Sequence, residues 1–328
     1  MKTKNRYNSA QVTIFALSCF RIAILVYILL LALSGCVGRE DYSLCPRPFD
    51  VFIKVEDING NDITERGDVK QLILFIFDEN GKMIGAIEVT GAQVAGREPI
   101  KMAFDPRKHP KSITFDVWAN TSDEVDFSAI NTVQQRENLY LLLKKQTDGS
   151  VVSPGDIFHG SLVGVPIETG GIEAGTSHVV VIKRKVASVI ITTTNLKPWY
   201  AAKTRATDDI YHYRVHGTSS GLDYKGILAR EVAYHIPQAQ FTENDHFVAP
   251  LFNVLPTPDG SSIKVEIYAN NEWIYTAEKD RNGNPFIAIA DQTLNILIEL
   301  SVDINGNPKV DVRTMVTEWN VAYQWIRF

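Results

Sequence analysis

Cys36 is the residue in this sequence with the clearest chemistry. It closes Leu33-Ser34-Gly35-Cys36, directly behind an apolar run over residues 22–33. A thiol at that place, after small residues, fits cleavage before the cysteine and acylation of its sulfur in the lipoprotein form of a secretory signal. Lys2, Lys4, Arg6 and Arg21 are the only charges among the first 35 residues, and no acidic residue precedes Glu40. The competing reading is a membrane span over residues 12–33. Its 22 residues are long enough to cross, but it sets Arg21 near the middle, where a charge costs about 2.5–3.5 kcal/mol. Residues 1–35 are therefore expected to be a signal peptide, Cys36 the lipidated residue, and 36–48 a polar, proline-punctuated tether.

The other candidate sites weaken on inspection. Gly217-Thr218-Ser219-Ser220-Gly221 has the spacing of a nucleophile elbow. An elbow must open a helix on a parallel sheet, and Leu222-Asp223-Tyr224-Lys225-Gly226 shows no helical period. His212 and His216 are four apart, as in a helical zinc site, but 211–215 alternates like a strand and no Glu follows the first histidine. Three segments share Asp-x-Asn-Gly-Asn, at 57–61, 280–284 and 303–307. Their glycine stands fourth rather than sixth, so they read as tight turns and not as calcium loops. No phosphate loop, dinucleotide fingerprint or paired-carboxylate signature is present. The reading is of a protein that is not an enzyme, with no catalytic, cofactor-binding or metal site.

Charge and cysteine usage narrow the classes further. Residues 36–328 carry 29 Lys and Arg against 38 Asp and Glu, a net charge of −9. Without basic stripes, nucleic acid is not an expected partner. Cys19 leaves with the signal and Cys36 takes the lipid, so Cys45 stands alone without an intramolecular disulfide. Burial must then hold the fold, which 45% apolar residues allow.

The elements that would carry these groups are strands. Runs at 51–55, 72–77, 83–89, 113–118, 179–182, 186–191, 211–215, 263–268, 273–277, 294–302 and 309–316 are β-branched, aromatic or alternating. Asn80-Gly81 between two apolar runs is a hairpin signal. Only 127–145 hints at short helical turns. This spacing predicts an all-β protein of two tandem antiparallel β-sandwich domains, 49–183 and 184–328, joined at a bend near Lys183-Arg184-Lys185. Leu72, Leu74, Ile76, Val117, Val189, Ile267 and Ile298 are expected in the cores.

A resemblance joins these pieces. The lipidation tetrapeptide and acidic-polar tether are followed by Asp41-Tyr42-Ser43-Leu44-Cys45-Pro46. Next come a strand and a Phe77-Asp78-Glu79-Asn80-Gly81 hairpin, then Asp156-Ile157-Phe158-His159-Gly160. Arg184-Lys185-Val186-Ala187-Ser188-Val189 and Val316-Thr317-Glu318-Trp319 complete the set. In that order they resemble the FimB-type and minor-fimbrium anchor lipoproteins of Bacteroidales. The resemblance implies transthyretin-like sandwiches and a pilus anchor or accessory subunit, held in the outer membrane by lipid and surface-exposed. It also implies fimbrial stalk subunits as partners, joined by strand addition. Related stalk subunits lose their amino-terminal segment to an arginine-specific protease, whereas an anchor must keep it. Here Arg47 precedes Pro48, Arg39 lies close to the lipid, and Arg66 is the remaining candidate cut site.

The carboxy-terminal segment is the candidate subunit contact. Trp319, Val321, Tyr323 and Trp325 alternate at period two, so an extended strand there would have one strongly apolar face, used either within the second domain or by a neighbouring subunit. The alternative function is a surface lipoprotein that binds glycan or host protein through sandwich loops, for which Trp199-Tyr200 and the aromatics of 319–325 are the candidates.

Overall fold

The computed structural model describes residues 46–105, 111–121, 125–127, 132–169, 175–204, 209–304, 307–323 and 325. Residues 1–35, expected to be a signal peptide, and Cys36 and Cys45 lie outside them.

Alternation makes the first strand: Phe49, Val51, Ile53 and Val55 are buried, and the residues between them are half-buried. Strands β1 (Phe49–Glu56), β2 (Gln71–Asp78), β3 (Met83–Thr90), β4 (Ile100–Met102), β5 (Ser112–Ala119), β6 (Val125–Phe127), β7 (Tyr140–Leu143), β8 (Phe158–Pro166) and β9 (His178–Arg184) build the amino-terminal half. The second half holds β10 (Ala187–Thr194), β11 (Tyr211–Ser219), β12 (Gly221–Asp223), β13 (Val232–His235), β14 (Gln240–Phe241), β15 (Phe247–Val254), β16 (Lys264–Ala269), β17 (Glu272–Ala277), β18 (Gln292–Val302) and β19 (Pro308–Glu318). Among the described residues two short helices interrupt them, α1 (Gly91–Ala95) and α2 (Leu196–Thr204). The all-β expectation holds.

Seven strands form one sheet in the order β3-β2-β5-β8-β9-β1-β4. Leu72, Leu74, Ile76, Phe115 and Val117 fill one face, while Phe75, Phe77 and Trp118 fill the other. The helix α1 touches both β3 at one edge and β1 near the other, so the sheet curls around its inner core. In the second half, β14-β15-β10-β18-β19 and β13-β11-β16-β17 enclose a core that includes Val189, Ile191, Tyr213, Val265, Ile267, Ile296 and Ile298. All seven expected core residues are buried. Each such side chain contributes about 1.5–3 kcal/mol through burial.

Three features depart from the sequence reading. Not all ladders are antiparallel: β1 runs parallel to β9, and β10 parallel to β18. Among the described residues of 127–145, the expected helical turns reduce to one 3-10 turn, Arg136–Asn138, before β7. Trp199 and Tyr200 lie on α2 and are buried in the second core, which removes them as loop aromatics for a glycan.

The two halves share structure at their junction. A three-stranded sheet, β12-β7-β6, pairs Leu222 of the second half with Leu141 of the first. A third core joins Phe75, Phe77, Trp118, Leu139 and Ile157 to Val186, Leu222, Ala233 and Leu255. Asp116 is fully buried and accepts from Arg136 Nε at 2.6 Å and Nη2 at 2.8 Å. Arg136 also stacks over the Tyr224 ring of the other half, 5.3 Å from its centre.

At the bend expected over Lys183-Arg184-Lys185, Lys183 is exposed but Arg184 is not. Arg184 ends β9 and is only 3% exposed. Its Nε donates to Asp156 at 2.5 Å, its Nη2 to Asp68 and Asp156 at 3.0 Å each, and its Nη1 to Asp291. The Phe158 and Trp319 rings flank the guanidinium, with centres at 4.7 and 4.5 Å. Asp68, Asp156 and Phe158 belong to the first half, Asp291 and Trp319 to the second.

His159 packs at the same junction. It is buried against Trp118, with ring centres 4.3 Å apart. A Cβ on Gly226, which has φ +68°, would lie 2.3 Å from His159 Nδ1, so only glycine fits that turn. Desolvation first, then the charge of Lys185, lowers the His159 pKa to about 3, against a backbone hydrogen bond to Tyr224 that opposes the shift. Burial lowers that of His235 to about 4.

Two outcomes follow from this junction. Arg184→Ala would strand three carboxylates beside an apolar core, and should lower the unfolding free energy in denaturant titrations by about 3–5 kcal/mol. Acidification should also destabilise the protein. Below an unfolded histidine pKa of about 6.5 the unfolded chain gains protons that native His159 and His235 refuse. Stability therefore falls by about 1.4 kcal/mol per pH unit for each, down to about 4 for His235 and about 3 for His159. Denaturation midpoints measured between pH 7 and pH 4.5 should show that slope, and His159→Gln should remove its share.

Candidate subunit-contact site

Polar groups that could have done chemistry are used internally. Gly217 has φ +92° at a bulge where a Cβ would meet the Ser262 carbonyl at 2.0 Å, and β11 continues to Ser219. Ser219 Oγ is buried, 2.9 Å from each of the Gly221 and Ala229 carbonyl oxygens. No helix follows it, so the elbow reading fails on geometry. His212 stacks on Tyr268, whereas His216 Nε2 lies 3.1 Å from Glu266 Oε2, so the two histidines do not converge. In each Asp-x-Asn-Gly-Asn segment the aspartate accepts from the turn itself. Asp57 takes the Asn59 and Asn61 N–H groups at 2.9 and 2.8 Å, and Asp280 takes those of Asn282 and Asn284 at 2.8 and 2.9 Å. Asp303 takes the Asn307 N–H at 2.8 Å.

The carboxy-terminal contact residues do not form the single strand expected of them. β19 pairs with β18 from Pro308 to Glu318 and stops there. Asn320 adopts φ +60°, a left-handed conformation that asparagine tolerates and a ladder does not, and the Val321 N–H turns back to the Glu318 carbonyl at 3.1 Å. Trp319 therefore turns inward onto Arg184, while Val321 and Tyr323 stay 46% and 40% exposed.

Beyond the turn the chain crosses the outer face of the five-stranded sheet. Thr317 Oγ1 donates to the Val321 carbonyl at 2.5 Å, and the Tyr323 N–H donates to Asn295 Oδ1 at 2.9 Å. Asn295 is buried, and its Nδ2 reaches Thr317 Oγ1 at 3.0 Å. Tyr323 meets Trp325 edge-on, with centres 4.8 Å apart. Trp325 lines a groove of about 400 Å³ with Thr192, Thr194, Val248, Leu297 and Arg313.

Sheet edges are the other features able to join chains. β14 has two residues and β4 three, and the long β15 carries Pro250, which has no N–H to donate. β19 is an eleven-residue edge. Its outer side accepts the Arg281 N–H at the Val312 carbonyl, at 2.8 Å, and Met315 and Val316 on it are 39% and 46% exposed. Sequence reasoning missed Arg184, Asp68, Asp156 and Asp291, because partners 28 to 116 residues apart leave no spacing signal.

Comparison with known proteins agrees with a part that assembles. Residues 42–325 match the model of the fimbrillin-A associated anchor proteins Mfa1 and Mfa2. The major fimbrium anchoring subunit FimB of Porphyromonas gingivalis strain W83 is 34% identical over 311 residues, 94% of this chain and 97% of that protein. Among solved structures, the fimbrial anchor protein Mfa2 of P. gingivalis superimposes with a TM-score of 0.59 at 13% identity, over 84% of this chain and 98% of that one. A candidate adhesin from Bacteroides ovatus gives 0.60 at 12% identity, over 84% and 96%. These two share the fold. The matched residues and the extent of the FimB likeness place this chain in the family of fimbrillin-A associated anchor proteins Mfa1 and Mfa2.

Proposed function

We propose that this chain is a fimbrial anchor or accessory subunit, a lipoprotein held in the outer membrane through an acyl group on Cys36 and exposed at the cell surface. It joins fimbrial stalk subunits by β-strand addition, with residues 49–183 and 184–328 as its two sandwich domains. One observation carries the reading. Leu33-Ser34-Gly35-Cys36 stands directly behind an apolar core in a chain that matches anchoring subunits over nearly its whole length. The fold is consistent with retention of the amino-terminal segment. A cut at Arg66 would release β1 from between β9 and β4 and take Phe49, Val51, Ile53 and Val55 out of the core. A role without catalysis is supported by Ser219, His212 and His216, each held in structural contacts.

The lipid is tested directly. Cys36→Ala should leave the signal uncleaved and the protein without an acyl group, read by mass spectrometry of the mature amino terminus. A wild-type terminus elsewhere, or one without lipid, would overturn this part.

The contact is tested by truncation. Removing residues 321–328 leaves the β18–β19 ladder whole and deletes three bonds, Val321 N–H to Glu318, Thr317 Oγ1 to the Val321 carbonyl and Tyr323 N–H to Asn295, so stability should fall by about 3 kcal/mol without unfolding the domain. Surface fimbriae should then detach or fail to form. Normal fimbriae on such cells would show that Val321, Tyr323 and Trp325 do not serve assembly.

A further inference from the structure

We infer that the two parallel ladders are mechanical clamps, so that tension entering at the amino-terminal end runs through this protein in shear. β1 pairs with β9 from Val51↔His178 to Glu56↔Lys183. A pull from the amino terminus reaches β1 at Phe49. The load leaves β9 at Arg184, because the chain continues through Lys185 and Val186 into β10. In a parallel pair those two points are opposite ends of the ladder. The pull therefore lies along the strands and stresses all the slanted hydrogen bonds together. Had the load met both strands at one end, the bonds would part singly, each with a net contribution of only about 1 kcal/mol.

Packing adds to the resistance. Val51, Ile53 and Val55 on β1 and Val180 and Ile182 on β9 lie in one core, so any slip along the ladder must also move buried apolar groups. β1 lies between β9 and β4, with β4 paired to its first residues, Phe49 to Val51, where the pull enters.

The second half repeats the device. β10 pairs with β18 from Ser188↔Thr293 to Thr194↔Glu299. Load enters β10 at its first residue and leaves β18 at Val302, again at opposite ends. Between the two ladders, Arg184 fixes the last residue of β9 to carboxylates of both halves. The biological direction of load rests on the anchor reading, whereas the clamp itself does not depend on lipid.

The test is single-molecule force spectroscopy on the unlipidated mature chain with Cys45→Ser. One variant is held by Cys36 and by Ile304→Cys, a fully exposed position after β18. The comparison variant is held by Asn59→Cys and Ile304→Cys, with Cys36→Ser, so that the pull enters beyond β1 and bypasses the β1–β9 ladder. Denaturant midpoints of the two should agree, since Asn59 and Ile304 are exposed. The amino-terminal half, recognised by the contour length it releases, should open at a several-fold higher force in the first geometry, because forced opening follows the barrier along the pulling direction. Equal forces, or a weaker first geometry, would overturn the clamp. A force difference that persists while Cys36→Ala cells show normal anchoring would keep the clamp and remove the lipid reading.

Discussion

A guanidinium held out of water by three carboxylates and two aromatic rings sets the relation between the halves of this protein. Removing Arg184 from solvent costs several kcal/mol, recovered only if each donor finds an acceptor in good geometry. Asp156 accepts two of its bonds, Asp68 and Asp291 one each. Asp291 also accepts the Ile58 N–H at 2.8 Å, so the turn after β1 is tied to the start of β18 through the same carboxylate. Such a cluster has little tolerance for displacement. A small rotation of one half against the other would leave a buried charge unpaired, which makes Arg184 a determinant of orientation more than of net stability.

Everything around the cluster is arranged to keep that geometry. The third core lies on the far face of the seven-stranded sheet, and residues of the second half complete it. Opening the junction would expose Phe75, Phe77 and Trp118 together with Leu222 and Leu255. Buried Asp116 accepts from half-buried Arg136 and from Ser161, a second polar group linked by Tyr224 to the same boundary. Neutral His159 sits between these features, where a proton would meet Lys185 and Arg136. The boundary is therefore a continuous core with polar pins, unlike the exposed hinge that usually separates tandem domains.

Much of this was legible in the sequence, and what was not shares one cause. Strands announce themselves locally, so Leu72, Leu74, Ile76, Val117, Val189, Ile267 and Ile298 could be placed from their runs alone. Turns do too, because Asp57, Asp280 and Asp303 bond within five residues of themselves. Parallel pairing does not. Val51 and His178 carry no mark of each other, and a strand beside a parallel neighbour has the same alternation as one in a hairpin. Arg184 misled for the same reason. Between two lysines it read as part of a bend, and only partners brought from residues 68, 156 and 291 reveal a buried charge. Trp199 and Tyr200 read as loop aromatics. In the fold Pro198 falls in the first turn of α2, where its missing N–H costs nothing.

The candidate contact site shows why motif reading has limited reach in an assembly protein. Catalysis leaves side-chain signatures, because reacting atoms demand particular groups at particular spacings. Joining by strands uses N–H and C=O groups that every residue carries, so the information lies in which edge is left open and where a ladder stops. Here the ladder stops at Glu318 because Asn320 turns left-handed, and the following residues lie over Asn295 instead of extending β19. The alternation of Trp319, Val321, Tyr323 and Trp325 was real, yet a single backbone conformation divided it, sending Trp319 to the Arg184 cluster, leaving Val321 and Tyr323 partly exposed beyond the turn, and placing Trp325 in the groove of the five-stranded sheet. One tryptophan thus closes the junction while its neighbours face outward, so the segment proposed to meet a partner begins at the residue that locks the two halves together.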